Sequence, residues 1–176
     1  SHMQFEADRA NDPAGEPSLL EMTQFALAEM QKADQGYFLL IEAGRIDHAH
    51  HGSNAYRALV DTVALSEAVQ WVTDHVDLSD TLILVTADHS HTMTISGYPR
   101  RGNPILGLVE TQLGRLAKDA TGLPYTTLSY ANGGGYRKRR PDLTEVDTAA
   151  LDYQQLSTVP MYSETHAGED LSLIHI

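Results

Sequence analysis

Two stretches of the sequence place many ionisable side chains directly after apolar runs. EAGRIDHAHHG, at residues 42–52, follows the apolar run YFLLI. VTADHSHT, at residues 85–92, ends another apolar run in Asp88, His89 and His91. In open α/β sheets the binding crevice lies beyond the carboxyl ends of the strands. The two endings therefore predict that a pair of strands delivers metal ligands to one place.

The residue types and spacing in the first stretch suit divalent cations. Asp47 and His51 are four positions apart, so one turn of helix aims both side chains at the same point. Carboxylate oxygen and imidazole nitrogen are the ligands that zinc accepts in a chain without cysteine. Glu42, which ends the first apolar run, suits a harder ion such as magnesium.

Each of these candidates has a plainer alternative. HAHH, at residues 48–51, could be an exposed histidine-rich loop, and Asp88-His89 could be an ordinary loop after a strand. Together the two endings favour metal binding over either alternative. His166, in SETHAGED at residues 163–170, is a weaker candidate, because single histidines usually have structural roles. Three histidines lack supporting context and receive no role: His2, His75 and His175.

The elements that must position these side chains alternate between helix and strand. Ser18 and Glu21 have the spacing of a capping box and predict a helix that runs to about Ala33. Ser53 or Asn54 predicts the start of a long helix that ends near Val76. Continuous apolar strands between helices predict an α/β fold, with a parallel-sheet core covered by helices on both faces. The remaining predictions are a loop at 4–17, strands at 37–41, 81–86 and 125–130, and helices at 108–120 and around 146–152.

Length and charge limit the class of protein. The 176 residues suffice for one domain with a sizeable core, and no apolar run approaches the length of a membrane span. The formal net charge of −12 argues against a nucleic-acid partner. KRR, at residues 138–140, is a short basic cluster that fits a solvated surface loop better than a phosphate-binding patch.

Three motifs in order resemble a known family. EAGRIDHAHH, VTADHSHT and SETHAGED resemble the C-terminal part of alkaline phosphatases, which are phosphomonoesterases with two zinc ions and one magnesium ion. SLLEMTQFAL and YANGGGY also fit in order, and the resemblance is strongest to the animal-type branch. It spans about residues 4–170 and implies the C-terminal part of the alkaline phosphatase fold.

The resemblance assigns zinc ligands position by position. It implies that Asp47, His51 and His166 bind the first zinc ion, on the leaving-group side of the substrate. It implies that Asp88 and His89 bind the second zinc ion, which activates a serine nucleophile.

The resemblance also implies roles around these ligands. Glu42 matches a magnesium ligand, and His48 matches a residue that contacts the phosphate through water or tunes the third metal site. His50 and His91 fall beside ligands, and we expect them to support ligands or to lie at the surface. Arg45 lies inside the motif, and we expect a structural role for it.

The implied reaction is in-line phosphoryl transfer through a phosphoserine intermediate. In the family the nucleophile lies in an Asp-Ser-Ala type of motif, and this chain has no Asp-Ser pair. The bridging aspartate, the hydroxyl ligand of magnesium and the arginine that clamps the phosphate also lack counterparts. We therefore expect a fragment that is inactive alone. Its expected parts are an expression-tag remnant at 1–3, a partial alkaline phosphatase domain at 4–170 and a divergent end at 171–176.

Partners and location follow only from the resemblance. It implies phosphate monoesters as substrates, a homodimer, and a periplasmic, secreted or outer-surface location. One alternative is a non-catalytic zinc-binding module, or a subunit that a partner completes. Another is a phosphodiesterase or sulfatase of the same superfamily, which the close agreement of EAGRIDHAHH with the monoesterase pattern disfavours.

Overall fold

The computed structural model describes residues 2–175, so Ser1 of the expected tag remnant and Ile176 of the expected divergent end lie outside the described residues. Within that range the chain forms four helices and seven short strands. No helix in the described range is long and apolar enough to cross a membrane. The helices are α1 (Glu6–Arg9), α2 (Leu19–Met30), α3 (Arg45–His51) and α4 (Ala55–His75).

Helix α2 begins at the predicted capping box. The side chain of Ser18 accepts a hydrogen bond from the Glu21 amide at 3.1 Å, and the Glu21 carboxylate accepts one from the Ser18 amide at 2.7 Å. Both bonds satisfy amide groups that the first turn leaves without a helical partner. The prediction of this helix is confirmed, although it ends at Met30 instead of near Ala33.

The start of α4 distinguishes between the two predicted caps. Oδ1 of Asn54 accepts a hydrogen bond from the Arg57 amide at 2.9 Å, so Asn54 is the capping residue. Ser53 instead has a φ of 54°, in the left-handed region. The Ala55 amide donates to Oε1 of buried Gln155 at 2.7 Å, which ties the helix start to a distant part of the chain.

The strands form three small sheets. Two of these are antiparallel pairs, β1 with β7 and β2 with β6, while in the third sheet β4 pairs antiparallel with β3 and parallel with β5. Helices combined with sheets that include a parallel pair confirm the predicted α/β class. The strands are β1 (Leu84–Val85), β2 (Ser90–His91), β3 (Met93–Ile95), β4 (Leu128–Gly133), β5 (Ser157–Pro160), β6 (His166–Ala167) and β7 (Ile174–His175).

The described residues separate into two compact units. The first unit contains residues up to Ile46, Leu59–Asp88 and residues from Asp170 onward. The second contains Asp47–Ala58 and His89–Glu169. The core of the second unit includes Leu128 and Tyr130, alternate residues of β4 that are each only 1% exposed. The predicted strand at 125–130 therefore exists as a buried strand that is shifted towards the C-terminus.

Two predicted buried strands differ from the structure. Residues 37–41 form no strand, and Phe38 and Leu40 are 87% and 73% exposed. In the segment 81–86 only β1 is a strand, and Leu84 is 57% exposed. Apolar composition favours a buried strand, but a strand also needs a hydrogen-bonded neighbour, and residues 37–41 pair with none of residues 2–175.

Three further local predictions were wrong. The segment 108–120 forms bridged turns instead of a helix, with Glu110 bridged to Leu116 and Gly114 at a φ of 70°. Residues 146–152 form turns without a helix. The predicted loop at 4–17 contains α1, in which Arg9 pairs with Glu6 at 2.7 Å and stabilises a single helical turn.

Candidate metal centre

Helix α3 places the first two candidate ligands together. Asp47 and His51 are one helical turn apart, and Nε2 of His51 lies 3.3 Å from Oδ1 of Asp47. Nδ1 of His51 lies 2.6 Å from the main-chain carbonyl oxygen of Glu164. A carbonyl oxygen only accepts hydrogen bonds, so Nδ1 carries a hydrogen in this contact, and Nε2 is the nitrogen that faces Asp47.

The β2–β6 pair, together with the residue that precedes β2, brings three more histidines to the same oxygen. In its register His91 faces His166, and Ser90 faces Ala167. Nε2 of His91 lies 3.0 Å from Oδ1 of Asp47, and Nε2 of His166 lies 3.3 Å from it. Nε2 of His89 is slightly farther away, at 3.7 Å. Four imidazole nitrogens therefore surround a single carboxylate oxygen.

The spacing of three of these atoms fits a tetrahedral zinc ion. Nε2 of His166 lies 3.2 Å from Nε2 of His51, and each lies 3.3 Å from Oδ1 of Asp47. Ligands about 2.0–2.1 Å from zinc at tetrahedral angles are roughly 3.3 Å from one another. Asp47, His51 and His166 therefore form a nearly equilateral triangle of the right size and ligand type.

The charge environment keeps Asp47 ionised. Its partial burial alone would raise the pKa of this carboxyl, but the charges of His51, His91, His166 and His48 outweigh burial and hold the pKa below its ordinary value. An ionised carboxylate is the form that binds a metal ion. His48 lies in α3 and belongs to this environment.

Glu164 lies on the buried side of the cluster formed by Asp47, His51, His89, His91 and His166. Its side chain is inaccessible to solvent, and Oε2 lies 2.7 Å from Nδ1 of His91. Its Oε1 accepts hydrogen bonds from the amide of Thr92 at 2.6 Å and from the Thr92 hydroxyl at 2.7 Å. A buried carboxylate requires such partners because desolvation is costly.

His50 is a buried neighbour of the cluster. Its Nδ1 lies 2.8 Å from the hydroxyl of Tyr130, and its ring stacks on His91 with centroids 4.7 Å apart. Burial, together with the charge of His91, lowers the pKa of His50 to about 4. Burial raises the pKa of Tyr130. Both groups are therefore neutral near pH 7.

Within the second unit the structure brings four of the predicted ligands together. Asp47, His51, His89 and His166 lie in one unit and converge. Glu42 and Asp88 belong to the other unit. These two residues remain predicted ligands on the strength of the sequence motifs.

Two residues of the cluster lie outside the set of ligands predicted from the sequence. His91 was expected to support a ligand or lie at the surface, and its side chain is only 8% exposed. Glu164 was not singled out. A signal for both was present, because each lies two positions before or after a predicted ligand, and side chains two apart share one side of an extended chain.

Comparison with known proteins identifies the family. The sequence profile of the family described as Alkaline phosphatase matches residues 1–175. The chain belongs to the alkaline phosphatase family. Its helices and small sheets are consistent with part of the alkaline phosphatase fold.

Similar alkaline phosphatases come from vertebrates and an insect. The tissue-nonspecific isozyme of Gallus gallus is 43% identical over 174 residues, which cover 97% of this chain and 32% of the relative. The membrane-bound alkaline phosphatase of Bombyx mori is 38% identical over 178 residues, covering 98% and 31%. The tissue-nonspecific isozyme of Homo sapiens is 41% identical over 174 residues, covering 97% and 32%. The chain thus spans about a third of the length of these alkaline phosphatases.

Proposed function

We propose that this chain provides metal ligands of a phosphomonoester hydrolase whose serine nucleophile is not among its 176 residues. The observation that carries the proposal is the triangle formed by Asp47, His51 and His166, with sides of 3.2–3.3 Å. In the proposal these three residues bind the first zinc ion and leave its fourth position open to substrate or water.

The remaining sites are proposed from the ordered motifs. Asp88 and His89 contribute to a second zinc site, and Glu42 contributes to a magnesium site. His48 contacts the substrate phosphate through water or tunes the third metal site. The donor types suit this division, since imidazole and carboxylate bind zinc, whereas a carboxylate without imidazole suits magnesium.

The residues of this chain prepare the site for a phosphate dianion. When bound, the metal ions supply positive charge that stabilises the attacking and leaving oxygens of an in-line displacement. Asp47 and the histidines fix the position of that charge. His51 is held by the carbonyl of Glu164, so its ligand nitrogen is oriented before any metal arrives.

The partners proposed for the whole protein follow from its family. Its substrates are phosphate monoesters, and it acts as a homodimer. A secreted, periplasmic or outer-surface location is supported by the name of the membrane-bound relative from Bombyx mori. The net charge of −12 disfavours nucleic acid as a partner.

A non-catalytic zinc-binding module is the second candidate function. The observation that favours it is the lack of any Asp-Ser pair in the sequence. The two candidate functions differ in the coordination of zinc. A catalytic zinc site keeps one coordination position open for substrate or water, whereas a structural zinc site has all its positions filled by protein ligands.

Binding of inorganic phosphate to the zinc-loaded chain separates these candidates. We expect millimolar or tighter binding in a calorimetric titration, with at least threefold weaker binding after His48→Ala. His75→Ala is the matched control, because His75 is an exposed histidine near the end of α4. Zinc loading without any phosphate binding would favour the structural module and contradict the proposal.

A further inference from the structure

A basic segment, RKRR at residues 137–140, lies between β4 and β5 in the second unit. It forms neither helix nor strand, and Arg137, Lys138 and Arg139 are exposed. Among the described residues, none forms a main-chain to main-chain hydrogen bond with residues 138–142. This part of the chain can therefore change its conformation without breaking secondary structure.

The two end residues of the basic segment are held, and the two middle residues are not. Nη1 of Arg137 donates to two carbonyl oxygens of the preceding turn, at 3.0 and 2.9 Å. Nε of Arg140 lies 3.2 Å from Oδ2 of Asp119. Lys138 and Arg139 form no ion pair with any residue that the structure describes. The middle pair is therefore the accessible part of the segment.

Exposure and a main chain without hydrogen bonds are what an endoprotease requires of its substrate. Proteolytic cleavage concentrates in exposed loops, because the protease must bind the main chain on both sides of the cleaved bond. Trypsin-like enzymes also require lysine or arginine before that bond. Pro141 makes the bond after Arg140 a poor substrate, because proline has no N–H and a fixed φ. The suitable bonds are those after Lys138 and Arg139.

An exposed basic side chain alone does not make such a site. Arg115 and Lys118 are also exposed, and both lie in the second unit. The Thr111 amide donates to the carbonyl oxygen of Arg115 at 2.8 Å, and Lys118 is bridged to Pro124. A protease that bound this stretch would have to break these main-chain contacts, whereas no described residue makes such a contact with residues 138–142.

We propose that the basic segment is a processing site at which a trypsin-like endoprotease converts the chain into a two-chain form. Hydrolysis of the bond after Arg139 consumes one water molecule and leaves a carboxylate on Arg139 and a free amine on Arg140. The N-terminal piece keeps Asp47 and His51, and the C-terminal piece carries His166. The cluster of candidate ligands is then formed by two chains.

Contacts between the two pieces hold them together after cleavage. Strand β4 belongs to one piece and β5 to the other, and the two strands pair in parallel. Oε1 of buried Gln155 accepts a hydrogen bond from the Ala55 amide at 2.7 Å, and the Gln155 amide donates to the carbonyl oxygen of Ser53 at 2.9 Å. The Glu164 amide donates to the carbonyl oxygen of His51 at 3.0 Å. None of these contacts involves the basic segment, so cleavage leaves them in place.

Limited digestion of the whole chain with trypsin tests the proposal. Mass spectrometry identifies the first cut, which we expect after Lys138 or Arg139 at a rate about tenfold or more above that of any other cut. Native size-exclusion chromatography should show the two pieces eluting together, and denaturing electrophoresis should separate them. Digestion requires no zinc, so its outcome is independent of the proposed function.

Lys138→Gln combined with Arg139→Gln should slow the first cut about tenfold or more, with circular dichroism as the check of folding. The matched control is Arg115→Gln combined with Lys118→Gln, which removes the same charge from exposed positions and should leave the rate unchanged. Resistance of the wild type, a first cut at another bond, equal rates for the two double variants, or pieces that separate under native conditions would overturn the proposal. If the first double variant does not fold, the position of the first cut in wild type carries the test.

Discussion

Asp47 shows how much of the site depends on one side chain. Its Oδ1 is the atom on which the nitrogens of four histidines converge, at 3.0–3.7 Å. The sequence motif was sufficient to predict that Asp47 and His51 lie close together, because their separation alone places them on one side of a helix. It was not sufficient for Glu164, because the contact between Glu164 and His51 joins residues that are 113 positions apart in the sequence.

The buried His50 predicts how stability depends on pH in the zinc-free protein. Its pKa falls from about 6.5 in the unfolded chain to about 4 in the folded one. Between these values the unfolded state binds more protons, so stability falls as pH decreases through this window. The loss due to His50 is of the order of 2–3 kcal/mol.

Urea unfolding of wild type and His50→Phe at several pH values measures this dependence. The variant should lose less stability than wild type between pH 6.5 and pH 4, because it cannot take up that proton. Parallel curves for the two proteins would show that burial does not hold His50 neutral.

At the scale of elements, the two helices with capping signals were predicted better than the strands. The capping box of α2 and the Asn54 cap of α4 involve residues three apart, so the sequence contains the whole signal. The strand predicted at 37–41 required a partner that apolar composition does not specify. Glycine turns also replaced the helix predicted at 108–120, because a φ of 70° at Gly114 is incompatible with continuing it.

The capping box of α2 gives a prediction at this scale. Ser18→Ala removes the acceptor of the Glu21 amide and should cost about 1 kcal/mol in the free energy of unfolding. The matched control is Ser66→Ala, at an exposed position inside α4, which should change stability by a few tenths of a kcal/mol at most. Denaturant unfolding of both variants compares them, and equal effects would argue against the cap.

At the scale of the whole molecule, exposed apolar side chains stand out. In the first unit Phe38, Leu40, Leu82 and Leu84 are 87%, 73%, 68% and 57% exposed. The two-stranded sheet formed by β1 and β7 also leaves strand edges unpaired within the described residues. Exposed apolar patches and open strand edges both favour association.

Self-association of the purified chain should therefore rise with concentration. Sedimentation velocity between micromolar and submillimolar protein should show larger species, and Leu84→Lys should shift the distribution towards monomer. Val63→Lys is the control, because it adds the same charge at another exposed apolar position, on α4. A monomer at every concentration would contradict the expectation.

The zinc affinity of the chain tests the central claim most directly. Calorimetric titration of wild type should show one tight zinc site per chain, with affinity falling as pH decreases through the range where histidines take up protons. His51→Ala and His166→Ala should each weaken binding at least tenfold, about 1.4 kcal/mol, while His75→Ala should change it little. Equal affinities for all four proteins would contradict the claim that Asp47, His51 and His166 form a zinc site.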